Sequence, residues 1–564
     1  MTRYLSGAWA VLLPVLLLGP ALGLGYVLSY DMVWVPDLAF RSDFLGLGTG
    51  LPRAVPSDAV VSVLDELLGG MVLQKVALLG GLVLGGFGIQ RLADSVLSRC
   101  VAVSVFVWNP FVVERLWMGH WPVLLGYAVL PWLVTEAGRF RRDGRLAPGL
   151  LLLLPLGCLS ASAALMSSLA VLVCGVSRRA PRRAALLVAT CLAANAPWLV
   201  AGLLHASIAT STGAGSVFGL GDEGPLPGPL AALTLGGIWN REVVPGSRDS
   251  LVLTLAATVA VLAAAAAGAR PLWQRLGART CGSLVALWTV GYAVAVFTWT
   301  SPGAVGWVAS HVPGGGVLRD GSRALVLCAP LTAALVAAAA ERLAARWDDS
   351  GIRALVAVAA ALLPLALMPD VAWGIGGNLR AVSYPDDYAR TRTAVAASDA
   401  PGDLLVLPFT SYRAPEWNGY RKVLDPVGRY LTPDYLASDQ LSVSGRVLTG
   451  EDPRVPGVLA ALRLPGPAAR ARRLGELGIG RVVREHGVAT TPAYDAAVAG
   501  TTVHDGPELE VVRIDAPVRP RHVATVSKVA VALAWSAFLA LPLAGLVAAA
   551  WRRRRVITGR RRER

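Results

Sequence analysis

Charged side chains are scarce in this chain of 564 residues. Asp, Glu, Lys and Arg together make up 16% of the sequence, whereas hydrophobic residues make up 54%. Soluble domains carry about 25% charged residues and cannot hide so much apolar side chain in their cores. The composition therefore excludes an ordinary soluble enzyme, and it predicts an α-helical polytopic protein that crosses a membrane many times.

Cysteine is also rare, and none of the six cysteines shows a metal-type spacing such as Cys-x-x-Cys. They lie within or beside apolar runs, at Cys100, Cys158, Cys174, Cys191, Cys281 and Cys328. Cysteines in such surroundings are typical of packing residues. The pattern indicates neither a zinc site nor a disulfide framework.

Acidic residues are outnumbered, and the formal net charge is +15. Most of the basic excess lies in short clusters between apolar runs and in the tail that begins at Arg552. Basic clusters in such loops mark the cytoplasmic side of a membrane protein. The charge is thus a topology signal, and we expect no nucleic-acid partner.

Apolar runs long enough to cross a bilayer, which takes about 20 residues, recur along the chain. The candidate spans are 8–29, 71–90, 96–110, 121–138, 146–161, 163–177, 184–205, 250–269, 281–299, 324–345, 353–370 and 524–551. Alternate loops differ in their arginine content, and the positive-inside rule then places both termini in the cytoplasm. The sequence predicts about twelve spans in the cytoplasmic (inner) membrane.

Four parts of the chain follow from this reading. Residues 1–371 form a polytopic membrane domain, and 372–522 form an extracytoplasmic α/β domain. A final transmembrane anchor covers 523–551, and a basic cytoplasmic tail covers 552–564. Within the outer domain, Leu404 to Pro408, Arg481 to Val483 and Glu510 to Ile514 suit strands, whereas 455–464 and 468–477 suit helices.

Aromatic residues cluster on a turn-rich stretch of the outer domain between Thr410 and Asp439. Aromatic side chains on such loops bind sugar faces by apolar stacking, and they also close small cores. The two readings stay open here. If the stretch binds an acceptor sugar, Trp417 and Tyr420 are the candidate residues.

Outward-facing loops hold the residues with the right chemistry for a reaction. Asp31 and Asp37 follow the first span, where a carboxylate can face water and lipid headgroups together. The turn entering the fourth predicted span holds an acid, a base and a histidine, and the entrance to a late span holds two arginines one helical turn apart. These residues are Glu114, Arg115, His120, Arg319 and Arg323.

At these positions the sequence resembles the GT-C superfamily of multi-pass glycosyltransferases, which use polyprenyl-phosphate sugars. The resemblance rests on the acidic first outer loop, on Asn109-Pro110 with Gly119-His120-Trp121, and on Leu318-Arg319-Asp320-Gly321-Ser322-Arg323. It covers the layout of residues 1–370. The likeness is greatest to arabinofuranosyl- and mannosyltransferase-like proteins of the bacterial envelope that carry an outer C-terminal domain.

The resemblance implies a general base or metal ligand in the first outer loop, which maps onto Asp31, with Asp37 as the second choice. Many members have adjacent acids there, whereas these two are six residues apart. It also implies a polyprenyl-phosphate sugar donor and an acceptor that is an envelope glycan or glycolipid.

Arginine binds phosphate oxygens in a two-pronged fork, so Arg319 and Arg323 are the predicted headgroup ligands. Arg115 and His120 would assist the phosphate, and Glu114 would support it or a divalent cation, whose requirement stays open. Each residue also has a structural reading. Asp31 can simply end a helix in water, the two span-entrance arginines can anchor a helix at the headgroups, and Glu114 can pair with its neighbour.

Two other functions compete with an enzyme. A transporter or flippase of a lipid-linked precursor would place ionisable residues at mid-membrane in repeated halves, but the predicted spans are almost free of charge there. A catalytically inactive scaffold would keep the layout and scatter the reactive groups. Glycosyl transfer therefore predicts that Asp31, Glu114 or His120, and Arg319 or Arg323 line one cavity.

Overall fold

The computed structural model describes residues 2–208, 217–443, 446–448, 451–489 and 494–562, and most of these residues are helical. Six of the described helices are long and apolar enough to cross a membrane. They are Tyr4–Leu22, Gly70–Leu92, Pro181–Leu204, Leu251–Thr300, Ser350–Leu367 and Thr525–Arg552. The number rises to eight if each of two bent helix pairs counts as one span. The described chain is thus a helical, membrane-embedded type of structure, and the total of about twelve spans stays a prediction.

Two predicted spans lie in one helical element, Leu251–Thr300. Gly277 interrupts it with a φ of 77°, a left-handed conformation that favours glycine. At about 1.5 Å per residue, the element is roughly 75 Å long and far exceeds the bilayer's apolar thickness. Its two halves match the predicted spans 250–269 and 281–299.

Other predicted spans are shorter or bent. Residues 146–177 form Pro148–Leu156 and Ala161–Gly175, both shorter than a full crossing. Gly321–Leu327 and Ala329–Ala344 bend by 46° at their junction. Further helices of this part, outside the sheet region, include Thr2–Leu18, Ser57–Leu68, Gly70–Lys75, Gly81–Ile89, Trp121–Asp143, Gly228–Leu233 and Pro302–His311.

A bend of 40° separates Val96–Val107 from Pro110–Trp117 and places the second helix toward the functional residues. Pro110 lacks a backbone N–H and so suits the first turn of a new helix. The side chain of Asn109 caps that helix by accepting from the Val112 amide at 3.1 Å, and its amide group donates to the Val105 carbonyl at 2.9 Å. One residue therefore ends the first helix and starts the second.

A C-terminal α/β region, residues 381–514, contains a five-stranded sheet. The strand order is Gly500–Asp505, Leu509–Ile514, Ile479–Glu485, Asp403–Leu407 and Tyr435–Leu436. The first three strands are antiparallel, and Asp403–Leu407 runs parallel to both of its neighbours. Helices Asp386–Ala397, Val455–Leu462 and Pro467–Glu476 flank it, and short strands include Tyr412–Pro415 and Val423–Leu424. The strands and helices predicted for this part are confirmed.

The segment after the first helix joins the membrane helices to this region. Tyr26–Val27 pairs antiparallel with Ala381–Val382. The backbone amide of Tyr30 donates to Lys422, and the amide of Leu424 donates back to Tyr30, both at 2.8 Å. Residues 26–30 are therefore held by strands that lie more than 350 positions later in the chain.

Candidate functional site

A cavity of about 1370 Å³ lies between the membrane helices and the C-terminal α/β region. Its walls come from the first loop, from the turn at 118–123, from residues 309–323 and from two stretches of the α/β region, 409–414 and 435–440. Four of the residues singled out in the sequence line it: Asp31, His120, Arg319 and Arg323. The chain thus brings an acid, a histidine and two arginines from three distant segments to one concave surface.

Asp31 is an accessible carboxylate of this cavity, with 37% of its side chain exposed. Its Oδ2 atom lies 3.1 Å from Nε2 of His120, and its Oδ1 atom accepts a hydrogen bond from the hydroxyl of Tyr412. Burial alone would raise the pKa of Asp31, but these two hydrogen bonds and the charge of Arg323 hold that pKa below its usual value. The group is therefore ionised at neutral pH and reachable from the cavity.

A tight turn carries Asp31 to this position. Ser29 and Met32 pair across the turn, and the Met32 amide donates to the Ser29 carbonyl at 2.8 Å. Gly119 has a φ of 82°, and a Cβ atom there would lie 2.2 Å from the Met32 nitrogen. Only glycine allows so close an approach between the two segments. The Asp31 amide then donates to the Met118 carbonyl at 3.0 Å, which fixes the turn against the helices.

His120 is buried and connects Asp31 to the charged residues beneath it. Its Nδ1 atom lies 3.2 Å from NH1 of Arg115. Arginine has donors only, so Nδ1 accepts from Arg115, and the ionised Asp31 carboxylate can only accept from Nε2. A guanidinium nitrogen of Arg323 lies further from Nε2, at 3.4 Å, so the two shorter contacts place the ring hydrogen of the neutral form on Nε2. Burial and the nearby charge of Arg323 lower the pKa of His120 to about 4, which keeps the ring neutral at physiological pH.

Arg115 lies beneath the cavity and does not line it. The side chain is fully buried and donates to both oxygens of Asp320, at 3.1 and 3.3 Å, and also to the hydroxyl of Ser322. The sequence predicts that Arg115 contacts the donor phosphate, whereas the structure shows it holding His120 and Asp320 in place. Its burial leaves no face for a ligand.

Arg323 is the partly exposed arginine nearest to Asp31. Its Nε atom donates to Asp320 at 2.9 Å, and 31% of its side chain is exposed. The carboxylate of Asp320, whose pKa lies well below its usual range, is buried, but neighbouring Arg115 and Arg323 keep it charged. Its NH1 and NH2 atoms make longer contacts, each of 3.4 Å, with the Ser162 hydroxyl and with Nε2 of His120. Arg323 is thus held firmly at Nε, and an anion in the cavity can compete for its two terminal nitrogens.

Arg319 also lines the cavity, but it already has a partner. Its NH1 atom donates to Glu451 at 3.1 Å, and its guanidinium lies 4.8 Å from the ring centre of Phe218. Arg53 pairs with the same carboxylate from the first loop. Sequence reasoning missed Arg53, because nothing in its local sequence separates it from any other loop arginine.

Asp37 lies outside the cavity. Its carboxylate pairs with Arg392 of the C-terminal α/β region, and 55% of its side chain is exposed. It therefore links the two parts of the chain at the surface. Of the two aspartates weighed for the role of base, the structure places only Asp31 at the cavity.

The aromatic candidates for sugar binding also lie outside the cavity. Trp417 packs against Tyr384 and Tyr388, with ring centres 5.0 and 5.6 Å apart, in a cluster that also includes Tyr430. Tyr420 is 62% exposed and points elsewhere. Trp417 thus fits the alternative that these aromatics close a small core.

Glu114 is buried and does not line the cavity. Its Oε1 atom has no hydrogen-bond partner among the residues that the structure describes. In the part of the chain that the structure describes, no group of three or more His, Cys, Asp or Glu side chains is placed to hold a metal ion.

Tyr412 is the second residue that sequence reasoning missed at this site. The sequence marks it only as one of several aromatics in a turn-rich stretch, and its partner Asp31 lies 381 positions earlier. The signal that identifies it is purely spatial.

Comparison with known protein families finds no match, and comparison with curated proteins finds none either.

The arrangement combines two chemical capacities. An ionised, accessible carboxylate can take a proton from a bound hydroxyl, and a partly exposed guanidinium can bind an anion. The cavity therefore presents a proton acceptor and an anion-binding group on one surface.

Proposed function

We propose that this protein is an integral-membrane, inverting glycosyltransferase that moves a sugar from a polyprenyl-phosphate donor to an envelope glycan or glycolipid. The observation that carries the proposal is the shared cavity of Asp31 and Arg323, with His120 between them. The arginine content of alternate loops supports an outer-face position for this cavity, and the resemblance to GT-C enzymes supports the same reaction.

Asp31 acts as the general base. An acceptor hydroxyl oxygen attacks the anomeric carbon while its proton passes to an oxygen of Asp31. The bond from that carbon to the phosphate oxygen breaks, and the polyprenyl phosphate leaves with the electron pair. A positioned base contributes about 10²–10⁴-fold to such a rate.

Arg323 binds the leaving phosphate, with Arg319 beside it. As the bond from the anomeric carbon breaks, negative charge develops on the bridging oxygen, which leaves as part of the phosphate. A guanidinium beside that phosphate therefore stabilises the transition state. Arg319 contributes only to the extent that the phosphate competes with Glu451 for it. Arg115 and Asp320 position the reacting groups from below.

The test compares Asp31→Asn with Asp37→Asn as a matched control, since both replace a first-loop aspartate by its amide. Each variant is expressed in a strain that lacks the gene, and envelope glycolipids are analysed by mass spectrometry. The purified proteins are also assayed with polyprenyl-phosphate arabinofuranose and polyprenyl-phosphate mannose. We expect Asp31→Asn to lose about 10²–10⁴-fold of transfer and Asp37→Asn to stay near wild type.

Two outcomes would contradict the proposal. Full activity of Asp31→Asn would remove Asp31 from the role of base. Movement of intact lipid-linked sugar across vesicle membranes, without any transfer product, would favour the transporter reading instead.

A further inference from the structure

The C-terminal α/β region contacts Asp31 through the side chain of Tyr412. Tyr412 begins the strand Tyr412–Pro415 and donates its hydroxyl hydrogen to Oδ1 of Asp31. Its ring also packs edge-on against Tyr30, with ring centres 6.2 Å apart. Tyr412 therefore contacts both central residues of the turn that carries the proposed base.

The same hairpin also holds the backbone of that turn. Tyr412–Pro415 pairs with Val423–Leu424, and the Leu424 amide donates to the carbonyl of Tyr30. Two independent contacts from one hairpin thus converge on Tyr30 and Asp31. A side chain that merely fills space would need neither the hydroxyl nor this register.

The two oxygens of the Asp31 carboxylate have donors from different parts of the molecule. His120, at the start of a helix of the membrane part, faces Oδ2, and Tyr412 faces Oδ1. Donors on both oxygens fix the rotation of the carboxylate, and they leave one lone pair on each oxygen for an acceptor hydroxyl. The rotation is fixed only when the α/β region is docked.

We propose that Tyr412 is a positioning residue for Asp31, so that the C-terminal α/β region completes the active site rather than only covering it. This inference rests on the proposed function, because Asp31 is the base of that reaction. It also assigns the region a task that the sequence left open.

The ionisation of Asp31 gives the inference a measurable signature. The titratable or charged groups that face Asp31 are His120, Arg323 and Arg53, together with Tyr412 itself. Burial and the charge of Asp31 raise the pKa of Tyr412, so its hydroxyl keeps its proton and can only support the ionised carboxylate. Removing that hydroxyl takes away a donor, so the pKa of Asp31 moves up toward higher pH.

The experiment uses the full-length protein with Tyr412→Phe, which removes a single oxygen atom, and Tyr420→Phe as the control outside the cavity. Initial rates are measured against donor concentration and pH. For Tyr412→Phe we expect kcat to fall by about 10- to 100-fold, with little change in donor KM and with the acid limb of the profile shifted to higher pH. Tyr420→Phe should match wild type.

A second measurement is independent of transfer activity. A carbodiimide modifies protonated carboxyl groups, and peptide mapping by mass spectrometry quantifies the label on Asp31 as a function of pH. Tyr412→Phe should shift the half-labelling pH upward, at an unchanged melting temperature. Unchanged labelling together with an unchanged rate profile would overturn the inference. A labelling shift in a protein that transfers no sugar would overturn the proposed function while still supporting the link between Tyr412 and Asp31.

Discussion

The Nδ1 atom of His120 lies 3.2 Å from a guanidinium nitrogen of Arg115, deep beneath the cavity surface. Because the guanidinium only donates, this contact assigns the ring hydrogen of neutral His120 to Nε2, the atom that faces Asp31. The charged pair of Arg115 and Asp320 therefore determines which donor the proposed base receives.

The first prediction concerns pH and stability. His120 has a pKa of about 4 in the folded protein and about 6.5 when unfolded. Between these pH values the His120 ring binds a proton in the unfolded chain but not in the folded protein. The free energy of unfolding therefore falls as the pH drops from 6.5 toward 4. We expect the melting temperature of the detergent-solubilised protein to fall less steeply over this window in His120→Gln than in wild type. His311→Gln, at an exposed position, should retain the wild-type slope, and equal slopes in all three proteins would contradict the prediction.

The second prediction concerns the close approach at Gly119. A methyl group there would lie 2.2 Å from the Met32 nitrogen and 2.6 Å from the Ser29 carbonyl oxygen, so Gly119→Ala must push the Asp31 turn away. A displacement of about 1 Å at a reacting group can reduce the rate about 100-fold. We expect transfer to fall by about 10- to 100-fold while the protein still inserts into the membrane. Gly138→Ala, in the helix Trp121–Asp143 with open space around it, is the matched control and should stay active. Wild-type activity in Gly119→Ala would show that the turn adapts.

The third prediction concerns donor binding by Arg323. Hydrogen bonds to charged groups contribute about 1.5–3 kcal/mol, so Arg323→Met should raise the donor KM by roughly 10- to 100-fold. Arg323→Lys keeps the charge but loses the fork, and its KM should lie between wild type and Arg323→Met. Arg513→Met, on an exposed strand position, controls for the loss of an arginine. The measurement is the initial rate against the concentration of a short-chain polyprenyl-phosphate sugar. An unchanged KM in Arg323→Met would exclude Arg323 as the phosphate ligand.

Residue type and local pattern predicted many of the helices and strands of this protein. The long apolar runs, the capped and Pro-broken helices near Asn109 and the strands of the α/β region follow from short-range rules, because hydrogen bonds and burial within a segment decide them. The likeness of a few short motifs also selected Asp31, His120, Arg319 and Arg323, all of which line the cavity.

Long-range packing decided the rest. The sequence predicts that Arg115 binds the donor phosphate, but in the structure Arg115 is buried and holds Asp320 and His120 in position. Asp37 and Asp31 look alike in sequence, yet one pairs with Arg392 at the surface and the other faces the cavity. The sequence leaves Trp417 open as a sugar-stacking residue or a core residue, and its packing against Tyr384 and Tyr388 favours the second.

By itself, the sequence determined that this chain is membrane-embedded and helical and carries a small α/β region, since hydropathy and periodicity are properties of neighbouring residues. Only the tertiary structure decided which acid meets the histidine and which tyrosine completes the pair. Tyr412 and Asp31 are 381 positions apart, and a hydrogen bond over that separation depends on how the strands dock, not on any local pattern.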